Sequence, residues 1–177
     1  MSRRFLRDWA LVLLVGFLGI FIQSKLLAPL LKDKIQLDFI IGLIIWLGFF
    51  KQEKLGAPMA FVLSFLEGVI SGVYSGIYML AGMSIYLLAR FLRIRFAPQK
   101  PASQLLFVLI IIVFYKLLLI VFSGIFVSRN YFFSINPIYI LLEGVINSIF
   151  AILIFMLFNQ VKGFFDLIPE EVRAKRS

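Results

Sequence analysis

The sequence predicts an all-α polytopic membrane protein with six transmembrane helices in a single domain spanning residues 1–177. Three observations carry that prediction. Hydrophobic residues make up 62% of the 177, and mean hydropathy is +1.03. Charged residues are only 15%, against about 25% in typical soluble domains. The apolar residues also fall into six runs, and six spans of about 20 residues use about 120, leaving only tails and short loops. One soluble core of this size could not hide so much hydrocarbon. Soluble, disordered, secreted and nucleic-acid-binding classes are thereby set aside.

The first span runs from about Trp9 to Leu31 and the second from Leu37 to Phe50. The third covers Leu55 to Val73, the fourth Ile77 to Leu92, the fifth Gln104 to Val127 and the sixth Pro137 to Asn159. Residues 160–177 form a cytoplasmic tail, whose start is expected either to lie in the membrane interface or to fray from the last helix. The second span is short, roughly 21 Å at 1.5 Å per residue. It must start earlier, thin the bilayer or be shielded by its neighbours. Arg3-Arg4 before an apolar run resembles a signal peptide, but no small-residue cleavage site follows at the usual distance, so an uncleaved first span is expected.

Charge sets the orientation. Under strict alternation of six spans, thirteen of the eighteen Lys and Arg lie on the side of the termini, four lie opposite, and Lys116 lies inside the fifth span. The positive-inside bias then places both termini in the cytoplasm. The formal charge of +9 reads as basic loops facing anionic lipid, with no nucleic acid required. The sequence has no Cys and no His, which removes disulfides, thiolate nucleophiles, Ser-His-Asp triads and nearly every zinc site. No catalytic, cofactor or metal residues are expected.

Charges within spans are expensive and usually face other helices or a cavity. Glu67, Lys116 and Glu143 are such charges, and Asp38 opens the second span. Glu67 and Glu143 lie roughly 9 Å below the outer boundary by the helical rise, with Lys116 somewhat deeper. The expected cluster pairs Lys116 with one glutamate and lets Asn147, one turn after Glu143, hydrogen-bond the other. It would either fix helix register or hold a ligand or proton. Leu66-Glu67-Gly68-Val69-Ile70 recurs as Leu142-Glu143-Gly144-Val145-Ile146. The recurrence suggests two inverted three-helix halves.

Small residues mark close packing. Ser64, Gly68, Gly72 and Gly76 recur every fourth residue, a small-xxx-small stripe on one helix face. Gly76 also suits the turn before the fourth span, and Gly144 and Ser148 repeat the theme in the sixth. Most of the 21 Phe are expected to face lipid. The aromatics of Arg129-Asn130-Tyr131-Phe132-Phe133 suit an outer interfacial belt.

The stretch from Leu37 to Leu88 resembles the bacterial rod shape-determining MreD family. The resemblance rests on Leu37-Asp38-Phe39-Ile40-Ile41 opening an apolar span and on the basic loop Lys51-Gln52-Glu53-Lys54-Leu55-Gly56. It continues through Phe65-Leu66-Glu67-Gly68-Val69-Ile70-Ser71-Gly72 and Gly76-Ile77-Tyr78-Met79-Leu80. Length, span number and inside termini also fit. The chain departs from the family pattern at Leu37, where Pro is common, at Glu67, where Asp is common, and at Tyr78, where His or Asn is common. The resemblance implies a non-catalytic scaffold of the cell-elongation complex in the bacterial inner membrane. Such a scaffold binds MreC and supports peptidoglycan synthesis by RodA and its penicillin-binding protein, with MreB filaments inside. The family is similar in fold to the substrate-binding subunits of energy-coupling-factor transporters. The alternative is therefore a membrane subunit binding a small molecule.

Overall fold

The computed structural model describes residues 3–22, 37–50, 53–71, 74–96, 101–127 and 137–160. Among them lie six α-helices and no strand: α1 (Arg3–Ile22), α2 (Phe39–Phe50), α3 (Glu53–Ile70), α4 (Ser75–Phe96), α5 (Pro101–Phe126) and α6 (Pro137–Gln160). The helices overlap the six apolar runs, with shifted ends. α1 begins at Arg3, well before Trp9, and residues 23–31 of the expected first span lie outside the described residues. α4 continues to Phe96, carrying Arg93 and Arg95 in its last turn, where basic side chains complement the helix dipole. Pro101 opens α5 and Pro137 opens α6, the position at which a missing N–H costs no helical bond. Pro58 lies inside α3, where its ring removes one ladder bond.

Ser75–Phe96, Ser103–Phe126 and Ile138–Leu157 are long and apolar enough to cross a membrane. Phe39–Phe50 and Leu55–Ile70 are shorter apolar helices. Large apolar side chains cover the outside, among them Leu80, Leu87, Phe91 and Ile94 on α4 and Leu106, Ile110 and Leu117 on α5. So broad an exposed hydrocarbon surface calls for an apolar solvent or a partner.

The short second run lies at the centre of the bundle. α2 packs against each of the other five helices, and every residue from Ile40 to Phe49 is buried. A helix apolar on all sides is stable only where all sides are covered, and FIIGLIIWLGFF meets that condition. Trp46, Ile41, Leu43, Ile44, Ile45 and Leu47 form the middle of the core, joined by Met59, Leu63, Ile85, Tyr86, Tyr115 and Phe155 from the surrounding helices. Phe50 meets Phe155 edge-on at 5.6 Å between centroids, a favoured aromatic geometry.

Two glycines admit the neighbours of α2. A Cβ on Gly48 would lie 2.9 Å from the backbone oxygen of Tyr86 on α4. A Cβ on Gly42 would lie 3.4 Å from the Cα of Ala151 on α6.

The packing does not carry the symmetry that the repeated Leu-Glu-Gly-Val-Ile segment suggests. Under two inverted halves, α5 would be the counterpart of the central α2. Among the described residues α5 packs on α2, α4 and α6. The two glycines of the repeat also meet differently ordered neighbours. A Cβ on Gly68 would approach Ser75 at the start of the next helix, whereas one on Gly144 would approach Val113 of the preceding one. Five residues are too few to impose a common packing on two helices with different surroundings.

Candidate functional site: a buried polar cluster

Four helices bring their polar residues to one end of the bundle. Asp38 immediately precedes α2, Glu143 lies in the second turn of α6, and Glu67 lies in the last turn of α3. Lys116 extends from the second half of α5 and spans the gap between the acids. Its Nζ lies 2.9 Å from Asp38 Oδ2 and 3.3 Å from Glu143 Oε2. One ammonium thus ties the starts of α2 and α6 to α5. All three side chains are largely withdrawn from the surface, with relative exposures of 11% for Lys116 and Asp38 and 16% for Glu143.

The partners differ from the expected pattern. The expectation gave Lys116 one glutamate and left Asp38 as a neighbour, whereas Lys116 engages Asp38 as well as Glu143. Asp38 sits at the mouth of α2, where its carbonyl accepts the N–H of Gly42 at 3.5 Å. Its own N–H donates to Asn147 Oδ1 at 2.7 Å. Asn147 thereby seats the chain entering α2 against α6. Helix geometry explains the arrangement: Glu143 and Asn147 are four residues apart on one face of α6, so the same face supplies an acceptor to Lys116 and another to the Asp38 backbone.

Glu67 is held separately. Its carboxylate accepts a hydrogen bond from the Tyr115 hydroxyl at Oε1, 3.1 Å long. It forms no ion pair among the described residues. Glu67 is 7% exposed, and its Oε2 is buried with no hydrogen-bond partner. The Tyr115 bond was not anticipated. Tyr115 is one of many aromatic residues here, and its only sequence signal is adjacency to Lys116. Tyr78 on α4 is half-buried and interacts with Ser71, within electrostatic reach of Glu67, Asp38 and Lys116.

The small-residue stripe divides at the turn between α3 and α4. Ser64 and Gly68 lie buried against α4. A Cβ on Gly82 would overlap the Ser64 hydroxyl, which donates to the Ala60 carbonyl at 2.7 Å, and a Cβ on Gly68 would come within 2.6 Å of the Ser75 Cα. Gly72 lies outside the described residues. Gly76 does not serve packing: it is exposed, with nothing within 4 Å of an added Cβ. The fourfold spacing breaks there because the chain leaves α3 at Ser71 and reverses into α4. Gly144 is buried against Val113, and Ser148 is buried with its hydroxyl donating to the Val145 carbonyl at 2.8 Å. Gly48, where α2 meets α4, and Gly82, where α4 meets α3, have no periodic neighbours to announce them.

The aromatic loop Arg129–Phe133 and residues 161–177 of the tail lie outside the described residues. Among the described residues no group of three or more acidic side chains is arranged to hold a metal ion. An open groove of about 440 Å³ lies between α1 and α3, lined by Leu13, Leu14, Phe17, Leu18, Val62 and Leu66 together with Ala10. Its lining is hydrocarbon, and Glu67, next to Leu66 in sequence, does not contribute to it.

No family model matches the chain, and neither the curated proteins nor the solved structures return a match.

Proposed function

We propose that the chain is a six-span scaffold of the bacterial inner membrane, of the MreD type, with both termini in the cytoplasm. In this reading it binds the bitopic protein MreC and supports peptidoglycan synthesis by RodA and its penicillin-binding protein, alongside MreB. α4, α5 and α6 have the length for a full crossing, and α1 spans roughly 30 Å at 1.5 Å per residue. α3 crosses with its ends near the interfaces, and α2 crosses within the cover of its neighbours. Arg90, Arg93 and Arg95 then lie at the cytoplasmic end of α4, and the polar cluster lies toward the outer face. The fold would be similar to the substrate-binding subunits of energy-coupling-factor transporters.

The observation that carries the reading is the division of labour among side chains. The intramembrane ammonium is committed to Asp38 and Glu143 inside the bundle, and the outward face is hydrocarbon with an apolar groove between α1 and α3. A surface of that kind suits helix-to-helix contact with another membrane protein, where shape and small residues decide association.

Affinity capture of the detergent-solubilised protein, followed by mass spectrometry, tests the proposal. Recovery of MreC with RodA supports it. Recovery of an energising ATPase module without MreC would replace it with the transporter reading.

A further inference from the structure

Among the described residues, Glu67 is the one acid of the cluster that forms no ion pair. Three carboxylates, Asp38, Glu67 and Glu143, converge on a single ammonium. Lys116 is taken by Asp38 and Glu143. Asp38 also stands at the N-terminus of α2, where the helix dipole supplies about half a positive charge. Glu67 has one neutral hydroxyl, that of Tyr115, on Oε1. Its Oε2 is fully enclosed and has no partner, although Glu67 is only 7% exposed. Buried polar atoms in folded proteins are nearly always satisfied, and an intramembrane carboxylate is costly unless balanced.

Among the described residues, Glu67 faces Asp38 just before α2, Tyr78 of α4, and Tyr115 and Lys116 of α5, with Glu143 of α6 beyond Lys116. Lys116 is the only cation among these, and it is already engaged.

We propose that Glu67 Oε2 is the binding point for one proton, exchanged from the end of the bundle at which the cluster lies. The enclosure of Oε2 admits the smallest cation, and the apolar groove beside α3 is not lined by Glu67. A bare alkali ion needs several oxygen ligands in place of its water, and Oε2 is offered alone. Among the described residues no group of three or more carboxylates is placed to hold a divalent ion. The inference goes beyond the scaffold reading and stands without it.

The test uses the purified full-length protein in lipid nanodiscs. Thermal unfolding is followed while sodium or potassium chloride replaces choline chloride at constant ionic strength, at a mildly acidic and a mildly alkaline pH. Wild type gains Tm on acidification, independently of the salt cation, and Glu67→Gln loses part of that gain. A response to sodium or potassium that Glu67→Gln abolishes overturns the assignment to a proton. An identical response of wild type and variant to pH also overturns the proposal. Should Glu67→Gln not fold, infrared difference spectra of wild type on pH exchange replace it. A changed carboxyl band that shifts in Tyr115→Phe supports the site, and an unchanged spectrum overturns it.

Discussion

Removing the ammonium of Lys116 would leave two enclosed carboxylates facing each other across the starts of α2 and α6. Breaking a buried ion pair by deleting one partner typically costs about 3–5 kcal/mol, mostly for stranding the remaining charge. Lys116→Met should therefore lower thermal stability in detergent by that order. Adding Asp38→Asn and Glu143→Gln should restore most of it, because neutral isosteres do not need the cation. A triple variant no more stable than Lys116→Met would show that the bridge contributes nothing. Tyr115→Phe strips the Glu67 carboxylate of its hydrogen bond and should cost about 1–3 kcal/mol, the usual penalty for orphaning a buried partner. At this scale the sequence is informative about which polar residues lie inside the bundle and poor about who meets whom. Lys116 and Glu143 stand out because charge is rare in apolar runs. The bond from Asp38 to Lys116 joins residues far apart in the chain, so it depends on how α2 and α5 pack, which no local pattern encodes.

Helix contacts give the sharpest contrasts among glycines. At Gly48 an added methyl would meet the Tyr86 backbone oxygen and the Ala89 Cβ at under 3 Å, so α2 and α4 would have to separate. Overpacking of this kind costs about 1–3 kcal/mol, and Gly48→Ala should lower Tm accordingly. Gly76→Ala should be neutral or stabilising by up to about 1 kcal/mol, because the site is open and Ala favours the helix. A loss of stability at Gly76 equal to that at Gly48 would refute the division of the stripe at the turn. The element pattern itself was legible: among the described residues each apolar run holds one helix, because length and composition leave a hydrophobic segment few other ways to satisfy its backbone. The ends were less legible. α1 extends back to Arg3 and α4 onward to Phe96, since charged residues with good helix propensity continue a helix beyond its apolar stretch.

For the molecule as a whole, the central placement of α2 is what its sequence permitted but did not specify. A run this short and apolar on every side has to be covered. Which helices cover it is decided by the other five. Burial of Trp46 at the middle of the bundle makes Trp46→Ala a test of that centre, with an expected loss of about 3–5 kcal/mol. A loss under 1 kcal/mol would place the tryptophan at the periphery. The larger claim is that α4 crosses the membrane with its basic end inside, and the sequence offers a clean way to examine it. With no native cysteine, single thiols can be placed at exposed Tyr74, just before α4, and at exposed Arg95 in its last turn, and challenged with a membrane-impermeant maleimide. Tyr74→Cys should be labelled in spheroplasts with an intact inner membrane and Arg95→Cys only after that membrane is opened. Equal labelling of both before opening, or labelling of Arg95→Cys alone, would contradict it.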